Sequence, residues 1–94
     1  MIKTDPQSPA ARGLQFPCRY PIKAMGRSYG DFEPIVLTII EKHVGKINPE
    51  AVRSKSSNAG NFQSVTVTIE VDSRADLETI YQDLSACEQV LWTL

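Results

Sequence analysis

Cations and small polar groups, rather than nucleophiles, are the residues of this sequence best suited to chemistry. Arg19, Lys23, Arg53 and Lys55 recur at odd positions of segments that read as strands. Side chains alternate across a strand, so these four fall on one face together with Met25, Ser64, Thr66, Thr68 and Glu70. Such a face is locally basic and suits an anion or an acidic partner. The stretch Ser57-Asn58-Ala59-Gly60-Asn61 is a second candidate. Its residue types bond their own backbone or accept positive φ, and a Gly-containing turn can aim several N–H groups at one anion. It is not a Walker loop, since no Gly-Lys-Ser/Thr follows it.

His43 is the only histidine. It falls on the apolar face of a helix, in the last turn, where it is expected to be partly buried and to bond free backbone carbonyls. A catalytic base would need a nucleophile or an orienting acid beside it, and no serine or cysteine is placed for that. The chain is therefore expected not to be an enzyme. Cys18 and Cys87 lie near the starts of two strands expected to run antiparallel. That separates them by roughly 15–20 Å, whereas a disulfide needs Cα atoms within about 7 Å. Both are expected as free thiols. No Cys or His pair has metal-finger spacing, and no cofactor is expected.

These residues are held in place by a set of short elements. Phe62 to Val71 alternates from Val65, with Val65, Val67, Ile69 and Val71 on one side, which specifies a half-buried strand. Tyr20 to Met25 alternates in the same way, with Pro17 and Pro21 making its front end irregular. Gly26 to Gly30 reads as a loop. Asp31 is placed to cap a helix carrying Phe32, Ile35, Val36, Ile39, Ile40 and His43 on one face, with Gly45 as its stop. Ala51 to Ser57 reads as an edge strand. Ser73 caps a second helix with Leu77, Ile80, Tyr81 and Leu84 inward. A final strand, Gln89 to Leu94, places Val90, Trp92 and Leu94 on one side.

The order β-α-β-β-α-β is most simply folded as an α+β sandwich. It has a four-stranded antiparallel sheet of order 4-1-3-2 and two helices on one face. Residues 1–13 read as a disordered tail and 14–94 as the single domain. The chain of 94 residues carries a net charge of −1, so there is no global pull toward nucleic acid or anionic membrane. No apolar run reaches the roughly 20 residues of a membrane helix, and the N-terminus lacks the apolar core of a secretory signal. A cytoplasmic location is expected. Sheet modules of this layout that bind RNA stack bases on aromatics in the central strands. Here those outward positions are Ser, Thr, Lys and Arg, with Phe62 at the rim, so nucleic acid is not expected.

Two segments resemble a known family. Phe16-Pro17-Cys18 with Pro21-Ile22-Lys23-Ala24-Met25-Gly26, then Ser56-Ser57 with Gly60-Asn61-Phe62-Gln63-Ser64-Val65, are similar to the YbeD-like family of small bacterial proteins of unknown function. The closing Val90-Leu91-Trp92-Thr93-Leu94 looks like that family's last strand. Asn58-Ala59 stands where the family has a single Lys, and Phe62 where it has Tyr. The resemblance implies a ferredoxin-like fold close to the ACT regulatory domains, which bind small effectors between paired domains. It points to a regulatory module, related to lipoate or amino acids, that senses a small anionic metabolite. The contacts would be Lys23, Ser57, Asn58, Gly60, Asn61 and Ser64. The alternative is a protein-interaction adaptor, or a homodimer, using the open-face residues Arg19, Lys23, Arg53 and Lys55.

Overall fold

The computed structural model describes residues 15–28, 31–57 and 59–94. The expected tail over 1–13, the end of the expected 26–30 loop and Asn58 lie outside them. Six main elements follow in order: β1 (Cys18–Arg27), α1 (Phe32–Val44), β2 (Val52–Ser56), β3 (Phe62–Val71), α2 (Arg74–Ala86) and β4 (Val90–Thr93). A 3-10 turn, Pro49–Ala51, precedes β2. The sheet order is β2-β3-β1-β4 and every pairing is antiparallel, which is the expected arrangement read from the other edge.

The core lies between one sheet face and the helices. Tyr20, Ile22 and Ala24 of β1 and Val65, Val67, Ile69 and Val71 of β3 are buried there. Phe32, Val36 and Ile40 of α1 and Leu77, Ile80, Tyr81 and Leu84 of α2 cover them. Each such aliphatic or Phe side chain contributes about 1.5–3 kcal/mol when fully buried. Ser73 caps α2 as its spacing requires, its Oγ accepting from the Asp76 N–H at 3.1 Å. Asp31 does not cap α1: its side chain makes no cap bond, and its main-chain carbonyl takes the Ile35 N–H instead. Gly45 ends α1 at φ 80°, a conformation that favours glycine.

β1 is longer than expected and absorbs Gly26 and Arg27, which pair with Gln63 and Phe62. Pro21 sits inside this central strand without losing a bond. Lys23 exchanges both backbone hydrogen bonds with Leu94 on the β4 side. Pro21, two residues earlier, faces the same side at a level β4 does not reach.

The larger departure is in β4. Ala24 pairs with Thr93 and Met25 with Trp92, but Gly26 pairs with Val90. Leu91 is the extra residue of a bulge. An extra residue inverts the alternation beyond it, because side chains repeat every two positions. Val90 and Thr93 therefore both face the core, at 1% and 0% exposure, instead of Val90, Trp92 and Leu94 sharing one side. Trp92 turns to the open face beside Met25. The C-terminal Leu94 is tied down by the Tyr81 hydroxyl, which donates to its carbonyl at 2.8 Å. Burial, then a hydrogen bond with Tyr20 and that hydroxyl's charge, push the Tyr81 pKa far above the ordinary phenol value, so it stays a donor.

Two measurements check this geometry. The Thr93 hydroxyl is buried without a hydrogen-bond partner among the described residues. Thr93→Val removes that orphan at constant shape and raises unfolding stability by about 1 kcal/mol in urea denaturation; a loss of stability would place the hydroxyl elsewhere. Gly26→Ala puts a Cβ into the Gln89 carbonyl oxygen and the Phe32 ring. It lowers stability by about 1–3 kcal/mol, and an unchanged midpoint would contradict the packing.

Candidate anion-binding face

The sheet face away from the helices is built from alternate residues of four strands. β1 contributes Arg19, Pro21, Lys23, Met25 and Arg27, paired with Glu70, Thr68, Thr66, Ser64 and Phe62 of β3. β2 adds Arg53 opposite Thr66 and Lys55 opposite Ser64. β4 adds Trp92 opposite Met25. Two rows thus cross the sheet. One runs Leu94, Lys23, Thr66, Arg53; the next runs Trp92, Met25, Ser64, Lys55.

A shallow basin of about 410 Å³ lies where these rows meet β2. It is lined by Lys23, Arg53 and Lys55 together with Val52, Ser54 and the hydroxyl-bearing Ser64 and Thr66 of β3. No carboxylate lines it. None of the three cations has an ion-pair partner among the described residues. Lys23 and Arg53 flank Thr66 across two strand spacings, about 10 Å between Cα atoms. An oxyanion on the hydroxyls would meet positive charge from both sides. Charge-assisted hydrogen bonds of this kind are roughly twice as strong as neutral ones.

The structure brings together only part of the expected contact set. Lys23 and Ser64 line the basin, joined by Arg53 and Lys55 from the open-face set. Arg19 lies at the far end of the face, opposite Glu70. Ser57, Gly60 and Asn61 lie on the β2–β3 connection and do not line the basin, while Asn58 is outside the described residues. The connection also spends its polar groups on itself. The Ser57 N–H donates to the Phe62 carbonyl, the Gly60 N–H to the Ser57 carbonyl, and the Phe62 N–H to Ser57 Oγ. The Asn61 carbonyl accepts from the Ser28 N–H. The N–H groups of Ser57 and Gly60 are thus already engaged.

Sequence reasoning placed Phe62 at the rim of this face but missed Trp92 beside it. The Phe62 and Trp92 ring centroids are 6.4 Å apart, tilted by 43°. The Arg27 guanidinium lies 5.5 Å from the centroid of the Phe62 ring. The signal was hidden because it depends on the Leu91 bulge, which no local pattern announces.

Other hollows suit an anion less. One of about 280 Å³ near Arg19 and Lys46 also carries Glu70. Another of about 290 Å³, beside His43, is walled by Glu70, Asp72 and Asp76. His43 itself differs from expectation. Its Nε2 meets Asp83 of α2 at 2.6 Å rather than helix-end carbonyls. The pair has an orienting acid, yet no hydroxyl or thiol lines that hollow. Cys18 and Cys87 are in no disulfide. Among the described residues no cluster of His, Cys, Asp and Glu could hold a metal, and no helix is long and apolar enough to cross a membrane.

Comparison with known proteins agrees with the fold. A UPF0250 protein of Vesicomyosocius okutanii is 39% identical over 81 residues, covering 86% of this chain and 88% of its own. A UPF0250 protein of Paraburkholderia phytofirmans is 34% identical over 72 residues, covering 77% and 81%. The solution structure of protein HP0495 from H. pylori superposes with a TM-score of 0.63 at 19% identity, over 100% of this chain and 96% of that one. Residues 11–94 match the model of the family described as protein of unknown function (DUF493). The likeness in Phe16–Gly26 and Ser56–Val65 is thus one of descent: the chain belongs to the DUF493 family of small bacterial proteins of unknown function.

Proposed function

We propose that this chain is a non-catalytic binding module that takes an anion on the open face of its sheet. One observation carries the reading: Lys23, Arg53 and Lys55 converge on a basin lined also by Ser64 and Thr66 and by no acid. Unpaired cations held this close repel one another, and an anion relieves that repulsion. The ligand class first indicated, a small anionic metabolite such as lipoate or an amino acid, presents a carboxylate of the right sign. The regulatory role follows if binding alters what the face contacts next. A protein adaptor is the second reading, favoured by Phe62 and Leu94, which are 36% and 55% exposed on the same face.

A backbone amide NMR titration tests the proposal, with lipoate, octanoate, amino acids and inorganic pyrophosphate as probes. Saturable shifts are expected at Lys23, Arg53, Lys55, Ser64 and Thr66. Lys23→Gln should weaken binding by about tenfold, the worth of one charged hydrogen bond. A well-dispersed spectrum that no probe perturbs would reject the anion site. Lysate capture of one protein, lost in Arg19→Glu or Lys23→Glu, would instead select the adaptor.

A further inference from the structure

The open face carries more than the basin needs. Among the described residues, its paired strands place Arg19, Lys23, Arg27, Arg53 and Lys55 on it with one acid, Glu70, and Asp72 borders its Arg19 end. Those five cations are half of the 10 Lys and Arg in the chain. A chain of net charge −1 thus turns a strongly positive sheet to solvent. The same face holds an aromatic pair at one end, Phe62 and Trp92, with Arg27 against the Phe62 ring. Phe62 lies one same-face position, about 7 Å, along β3 from Ser64, which lines the basin.

From this juxtaposition we infer that the open face binds single-stranded nucleic acid. A backbone phosphate occupies the basin of Lys23, Arg53 and Lys55, and a base stacks on the Phe62–Trp92 platform. The inference rests on the basin being an anion site and names the anion. Aromatic side chains and Arg planes are sequence-tolerant platforms for unpaired bases, and a cationic groove beside them tracks the phosphates. The basin's form favours a polymer over a lone metabolite. It is an open hollow on a flat sheet, and small ligands gain affinity by burying most of their surface. A strand gains instead from repeated weak contacts across the face. The expectation against nucleic acid rested on the near-neutral net charge and on outward central-strand positions that are Ser, Thr, Lys and Arg, with Phe62 alone at the rim. The bulge adds Trp92 beside Phe62 at that rim.

Trp92 is the only tryptophan, so its emission reports the platform without a label. An eight-nucleotide oligo(dT) or oligo(U) should quench it saturably. The association constant should fall with salt, log against log, with a slope of about −2 to −3.5, as three to five phosphate contacts require. An abasic strand of the same length should bind at least about five-fold more weakly. Trp92→Leu and Phe62→Leu keep apolar packing and remove the stacking surface. By anisotropy of a labelled strand each should weaken binding by about fivefold or more, the range of one lost base stack.

Abasic and normal strands binding equally would overturn the inference. So would a concentration-dependent dimer that buries Trp92, which would assign the face to a second copy. Pyrophosphate shifting the basin amides while no oligonucleotide binds would overturn it and leave the anion site standing. If neither binds, both readings fall.

Discussion

Phe32 reaches the sheet because residue 26 has no side chain. The Gly26 backbone lies directly under the Phe32 ring and the Gln89 carbonyl, in space that any Cβ would fill. That close approach joins the start of α1, the middle of the sheet and the entry to β4 at one point. It is also where the β1–β4 register slips. The side to which each later residue of β4 turns is set there. Val90 and Thr93 go to the core; Trp92 and Leu94 go to the open face. The composition of the candidate binding surface therefore depends on a residue that contributes no atoms to it.

Charge is sorted between the two sides of the sheet. Among the described residues, the strands of the open face hold five cations and Glu70, while the helices behind the sheet carry Glu33, Glu41, Asp76, Glu78 and Asp83. A near-neutral total conceals this, because net charge sums what the sheet separates. At physiological salt, charges more than about 8 Å apart are largely screened. A ligand on the open face consequently responds to the nearby cations more than to the acids behind the sheet. Function in this molecule is thus expected on the face that packing leaves free.

Most of the fold could be read from pattern. Val65, Val67, Ile69 and Val71 alternate without interruption, and β3 is the strand they describe. Ser73 and Asp76 stand at cap spacing, and the cap forms. Lys23, Arg53, Lys55 and Ser64 could be assigned to the open face by parity alone. Three things could not be read. Asp31 is chemically fit to cap, but its backbone φ of −111° and ψ of 14° lie outside the extended conformation that caps adopt. His43 has its partner forty residues away, and no local rule finds Asp83. Trp92 needed a count of residues across a bulge, and a one-residue slip reverses the face of everything beyond it.

The short β4 leaves β1 central along only part of its length. Beyond Lys23, toward Cys18, the β4 side of β1 has no paired strand among the described residues. An uncovered stretch of backbone is a template on which another chain can add itself and start a fibre. Pro21 stands in that gap. Its ring occupies the line of approach, and it offers no hydrogen to an incoming carbonyl. A residue that first reads as a blemish in a strand thus acts as a guard against polymerisation, in a molecule whose opposite edge, β2, carries Arg53 and Lys55.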